Sequence, residues 1–127
     1  MTASFKPDGI LETYCQQVVP FKTRRVLLPG RKCAARIMYT FLGYEVKAGK
    51  RRLNCPDLVT ARYVRIFAEL GMKHILIPYD PTRTGRLIDR LERQFEKLRT
   101  STHGPAQRPA FAKLRHGLIA CEKKSSS

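Results

Sequence analysis

Apolar residues recur at two different periods along this chain, and the changes of period mark its elements. Ile10, Leu11, Tyr14, Cys15 and Val18 fall at helical spacing and Pro20 closes the run, which predicts a helix over 7–19. Arg24 to Leu28 reads as a short strand, 24–28, ending at Pro29-Gly30, whose turn chemistry leads into a helix over 32–42 that Gly43 stops. Tyr44 to Lys47 then reads as a second strand, 44–47. Two topologies suit this stretch. One is a strand-helix-strand crossover, short for a parallel pair; the other is a hairpin in which Ala48-Gly49-Lys50 turns the chain and a strand over 51–54 returns beside 44–47.

Further on, the signals sharpen. Val59, Tyr63, Ile66, Phe67 and Leu70 share one face of a helix over 56–70, with Arg62, Arg65 and Glu69 on the other. Asn54 reads as its N-cap, Pro56 as its first turn, Asp57 as a charge facing its positive end and Gly71 as its stop. The continuous apolar run from His74 to Tyr79 predicts a core strand, 74–79, buried on both faces. Asp80-Pro81-Thr82 then caps a helix over 82–99 with Leu87, Ile88, Leu91, Phe95 and Leu98 in one stripe. Arg86, Arg90, Arg93 and Lys97 flank that stripe on one side, and Asp89, Glu92 and Glu96 on the other.

From Thr100 the composition turns to Ser, Thr, Gly, Pro and Lys, so 100–127 reads as a flexible basic tail. Within it, Phe111, Leu114, Leu118 and Cys121 support a short helix over 109–121. The expected fold class is therefore α/β, a small single domain over 1–99 with two to four short strands layered with helices. A winged-helix arrangement using 32–42 and 56–70 as its helices is the alternative.

Charge changes the picture from fold to partner. The chain has 127 residues, 25 of them Lys or Arg against 10 Asp or Glu, a net charge of +15. Ten of the basic residues lie between Lys22 and Arg52, where Glu45 is the single acid. Such a local excess suits a polyanion, and RNA or DNA is the leading partner. Arg24, Arg25, Arg31, Lys32, Lys50, Arg51 and Arg52 are the expected phosphate contacts, with Arg86, Arg90 and Arg93 as an extension along the last long helix. About six phosphate contacts would give log affinity a slope of roughly −4 to −5 against log salt. Tyr39, Phe41 and Tyr44 could stack on unpaired bases, although core packing is expected for at least two of them. An adaptor whose basic face binds an acidic protein is the second reading.

Several classes are set aside. No apolar run approaches the roughly 18 residues of a membrane span, and the N-terminus lacks a signal-peptide pattern, so the expectation is a cytoplasmic protein. Cys15, Cys33, Cys55 and Cys121 show neither a C-x-x-C pair nor zinc-ligand spacing and are expected as buried or idle thiols. No nucleotide-binding fingerprint surrounds the Pro29-Gly30-Arg31-Lys32 turn, and no cofactor is expected. Glu45-Val46-Lys47 resembles the E-x-K half of the PD-(D/E)xK nuclease pattern, with Pro7-Asp8 and Glu12 as a nominal first half. That resemblance implies Mg²⁺-dependent hydrolysis using Glu45 and Lys47. The leading expectation remains an accessory or regulatory nucleic-acid-binding protein rather than an enzyme.

Overall fold

Antiparallel pairing sorts the strands into two sheets packed around one central helix. The computed structural model describes residues 9–126. Its elements are α1 (Gly9–Gln17), β1 (Thr23–Leu27), β2 (Ala35–Thr40), β3 (Gly43–Ala48), β4 (Arg51–Cys55), α2 (Leu58–Leu70), β5 (His74–Pro78), α3 (Pro81–Ser101), a 3₁₀ turn (Gly104–Ala106) and α4 (Gln107–Ser126). β1 pairs with β5, and β2, β3 and β4 form a three-stranded meander. The small mixed α/β domain expected from the sequence is the fold observed. Pro7 and Asp8, which the first helix was expected to include, lie outside the described residues.

One expected element is replaced. The segment 32–42 is not a helix but contributes β2, and with it the crossover and the winged-helix alternative both fall. Ile37, Met38, Phe41 and Leu42 are compatible with a helical face, but alternation is what the fold uses. Ile37 stands opposite Val46, which stands opposite Leu53, so these residues face α2 while Arg36, Lys47 and Arg52, the residues next to them, lie on the other face. Gly43 is then a hairpin residue at φ 118°, a conformation that other residues rarely adopt, instead of a helix stop. The Ala48-Gly49-Lys50 hairpin is present as expected, joining β3 to β4.

Asp57, not Asn54, caps α2: its carboxylate accepts the Thr60 N–H at 2.8 Å, while Asn54 is a strand residue of β4. At the other end Gly71 adopts φ 96° and closes the helix. Tyr63, Phe67, Leu70, Val64 and Ile66 are all buried, because α2 lies between the meander on one side and α3 on the other. The Asp80 side chain accepts the Thr82 N–H at 3.0 Å, and Pro81 opens α3 without leaving an unpaired donor.

The tail is the second correction. Residues 107–126 form α4, whose Phe111, Leu114 and Leu118 are buried in the same core as α1 and α3. The Phe111 ring lies 5.8 Å from that of Phe95 on α3, and Gly117 admits the Leu11 side chain of α1 at close range. Cys15 and Cys121, expected as idle thiols, are joined in a disulfide between α1 and α4 with their Cα atoms 5.9 Å apart. Cys55 is buried and Cys33 half-buried, and neither is bonded to another cysteine.

A polar network completes the α4 dock. The Tyr14 hydroxyl donates to Glu122 at 2.5 Å and accepts the Leu76 N–H at 3.1 Å, and the other Glu122 oxygen lies 2.6 Å from His74 Nε2. Glu122 is thus a buried acid with partners on both oxygens, which is the condition for burying one. Among the described residues, no helix is long and apolar enough to cross a membrane.

Candidate nucleic-acid interface

The solvent face of the meander carries a row of three cations. Arg36 on β2 pairs in register with Lys47 on β3, and Lys47 with Arg52 on β4. Directly opposite residues on one sheet face have Cβ atoms about 5 Å apart, so three like charges are held side by side. The next row along the same face is Met38, Glu45 and Asn54. Glu45 Oε1 lies 3.9 Å from the Arg52 guanidinium, the single carboxylate within salt-bridge distance of this row among the described residues.

A second basic group lies around the β3–β4 hairpin and α4. Lys50 and Arg51, at the tip of the β3–β4 hairpin, share a groove with Pro29, Arg31 and Cys33. Arg31 also lines the neighbouring groove, in which Gly30 and Lys32 meet Arg108, Phe111 and Arg115 of α4. Lys32 is held there: its ammonium lies 5.3 Å from the Phe111 ring centroid and donates to the Gln107 side chain. Arg115 donates to the Leu70 carbonyl at 2.9 Å, occupying an acceptor that the end of α2 leaves open. Six basic side chains, Lys50, Arg51, Arg31, Lys32, Arg108 and Arg115, therefore line two adjoining grooves, while Arg36, Lys47 and Arg52 form a separate row on the meander, since Arg51 and Arg52 are consecutive on β4 and point to its opposite faces.

The loop that bears Arg31 and Lys32 owes its place to Gly71. A Cβ at position 71 would come within 2.9 Å of the Lys32 backbone nitrogen, so the loop lies against the end of α2 only because this residue has no side chain. On the loop's inner side the Ala35 N–H donates to Glu69 at 3.2 Å, and Glu69 with burial pushes the neighbouring Cys33 thiol up, burial being the larger cause.

Other expected contacts are distributed elsewhere. Arg24 and Arg25 are adjacent in sequence and lie on opposite faces of β1. Arg25 lines a groove with Thr23, His74, Leu76 and Glu122, whereas the Arg24 charge acts on the thiol of Cys55. Burial nevertheless dominates at Cys55 and pushes its pKa up to about 11. Arg86, Arg90 and Arg93 are exposed on α3, which packs on α1, α2 and β5 instead of on the meander, so they join neither basic group. The acidic flank of α3 faces α2, where Arg62 contacts Asp89 at 2.9 Å and Glu92 at 2.5 Å. Those hydrogen bonds to Glu92 and then Asp89 raise the Arg62 pKa.

Four of these nine basic residues are outside the set of expected contacts. Arg36 was assigned to a helix and Lys47 to a hydrolytic pair, yet the alternation Arg36-x-Met38, Glu45-x-Lys47 and Arg52-x-Asn54 is the signature of one polar sheet face. Arg108 and Arg115 belong to the segment read as a tail, and no local signal links them to Arg31. As for a metal site, the cross-strand neighbours of Glu45 are Met38 and Asn54, and no group of three metal-ligating side chains exists among the described residues. Asp8, the nominal partner of Glu45, lies outside the described residues. Glu45 and Lys47 do share a face as the E-x-K resemblance requires, but that face supplies Glu45 with Arg52 as its charged neighbour.

Comparison with protein-family models, curated proteins and solved structures returns no match to this chain.

Proposed function

We propose that this domain binds nucleic acid through its phosphates, as an accessory or regulatory module, using the meander row together with the basic grooves beside the β3–β4 hairpin and α4. The observation that carries this reading is the in-register row Arg36, Lys47 and Arg52, three cations set side by side on a solvent face. Like charges directly opposite one another on a sheet destabilise it, so the row costs folding energy that an anion repays. A line of phosphates is an anion of the right shape, because its charges repeat along a strand as the cations repeat across three. Arg31, Lys32, Lys50, Arg51, Arg108 and Arg115 extend the contact along the adjoining grooves. About six neutralised phosphates would again give a log–log salt slope of roughly −4 to −5.

The test is fluorescence-anisotropy titration of short single-stranded and duplex RNA and DNA at several salt concentrations. Wild type is compared with an Arg36→Ala/Lys47→Ala/Arg52→Ala variant. Tight binding with a steep salt slope, weakened in the variant by a slope change of about 2 to 3, is the expected result. Weak binding of every oligonucleotide, or identical curves for the variant, would overturn the proposal and direct attention to an acidic protein partner.

A further inference from the structure

The β2–β3 hairpin ends in a cluster of apolar side chains that the core does not use. Phe41 is fully exposed, and Leu42 and Tyr39 are 82% and 80% exposed. Hairpin tips ordinarily carry Gly, Asn, Asp or Ser, whose backbone preferences make the turn. Here Gly43 meets that need at φ 118°, and nothing in the turn requires a phenylalanine or a leucine. Scattered single apolar residues on a surface are ordinary, but three large ones on one protruding tip form a patch of the kind that meets a partner.

The tip is also rigid. The Thr40 hydroxyl accepts the Leu42 N–H at 3.2 Å and donates to the Gly43 carbonyl at 3.1 Å, fixing the two residues between. Tyr39 is braced by an edge contact with Tyr44 on β3, ring centroids 5.2 Å apart. A turn backbone ordered before binding loses less freedom on binding, which favours contact with a flat apolar partner.

What that partner is follows from the neighbouring charge. From Arg36 to Thr40 the strand runs four residues, about 13 Å, so the cationic row and the tip lie within reach of about four nucleotides of one chain. Between them lies the row Met38, Glu45 and Asn54, in which the Glu45 carboxylate is 3.9 Å from the Arg52 guanidinium. Resting on the phosphate-binding reading above, we infer that the tip at Phe41 and Leu42, in the turn beyond the end of β2, stacks on unpaired bases of the strand whose phosphates lie on Arg36, Lys47 and Arg52, while Tyr39 sits on the opposite face of β2 from Arg36. The substrate class is then single-stranded nucleic acid or a locally unpaired segment, because paired and stacked bases present no open face to a ring.

The chain contains no tryptophan, so Phe41→Trp creates a single fluorescent reporter at the tip. The probes are an oligothymidylate of about twelve nucleotides, an abasic strand with the same number of phosphates, a duplex of that length, and phosphatidylserine vesicles. Expected are quenching of the reporter by the oligothymidylate, not by the abasic strand, and affinity about tenfold or more higher for the base-bearing strand. Phe41→Ala with Leu42→Ala should reduce oligothymidylate affinity to the abasic level while leaving the salt slope unchanged. Unchanged thermal melting of that variant establishes that the fold is intact.

Equal affinity for the oligothymidylate and the abasic strand, both weakened by the Arg36/Lys47/Arg52 variant, would overturn stacking and leave phosphate binding standing. Tighter binding of duplex than of single strand would do the same. Binding of neither strand overturns both readings, and reporter changes confined to the vesicles would assign the tip to a membrane surface instead.

Discussion

Lys47 stands directly opposite Arg52 across the β3–β4 ladder, with Arg36 on its other side. A residue that repels two neighbours is a burden on the sheet. Lys47→Thr, which keeps a good strand residue, should therefore stabilise the isolated domain by a few tenths of a kcal/mol up to about 1 kcal/mol at low salt. The gain should shrink as ionic strength rises, since exposed charges are screened. Chemical denaturation at two salt concentrations measures it, and the same variant should lower the salt slope of oligonucleotide binding by about 1. A loss of stability at low salt would show that the row is not under electrostatic load.

Gly71 is where the end of α2 meets the Arg31–Lys32 loop. At φ 96° any side chain is strained by about 1–2 kcal/mol, and a Cβ would also press on the Lys32 nitrogen at 2.9 Å. Gly71→Ala should lose at least that much stability and also weaken nucleic-acid binding, because the loop must retreat. Full-affinity binding by a destabilised Gly71→Ala would separate loop position from recognition.

Thr84 is buried on α3 with its hydroxyl unpartnered. Valine has the same shape without the hydroxyl, so Thr84→Val removes an unsatisfied polar atom and creates no cavity. A gain of about 1 kcal/mol in the denaturant midpoint analysis is expected. An unchanged or lower stability would mean that the hydroxyl has a partner in solution.

The Cys15–Cys121 link closes a span of 106 residues between α1 and α4. For loops of that length, loss of the cross-link costs about 3–5 kcal/mol, so dithiothreitol or Cys15→Ser should lower the melting temperature markedly. Since α4 carries Arg108 and Arg115, reduction should weaken binding at temperatures where α4 begins to detach. Thiol titration under denaturing conditions should find two free cysteines before reduction and four after.

Alkaline pH should destabilise the fold from about pH 9 upward. Burial raises the Cys55 thiol to about 11, and burial, ahead of other causes, raises the hydroxyls of Tyr14 and Tyr63 as well. Each group keeps its proton in the folded state at pH values where the unfolded chain has released it. Above the unfolded pKa the folded state therefore binds more protons, and unfolding free energy falls as pH rises. Calorimetric melting between pH 8 and 11 should show a steady decline, and Cys55→Ala should make it shallower between pH 9 and 11.

Much of this fold can be read along the chain because the relevant signals are local. Pro81 after Asp80, Gly71 after Leu70 and the Gly49 turn each act on residues a few positions away, and the elements they bound appear where expected. The helical period of Val59, Tyr63, Ile66, Phe67 and Leu70 likewise reports a face that must be buried. β2 reads as a helix because Ile37, Met38, Phe41 and Leu42 recur at a helical period, and only strand pairing with β3 overrides it. The same period concealed Arg36 and the exposure of Phe41.

By itself the sequence determined the α/β class, the central helix and the concentration of positive charge, all properties of composition and short-range period. Tertiary structure alone decided that α4 docks through Phe111, Leu114 and Leu118, that Cys15 reaches Cys121, and that Arg108 and Arg115 stand beside Arg31. It likewise aligned Arg36, Lys47 and Arg52 and sent Arg24 and Arg25 to opposite faces. The reason is physical: burial of an apolar face is written into each segment, but which segment covers it depends on shape complementarity and pairing register between residues far apart in the chain.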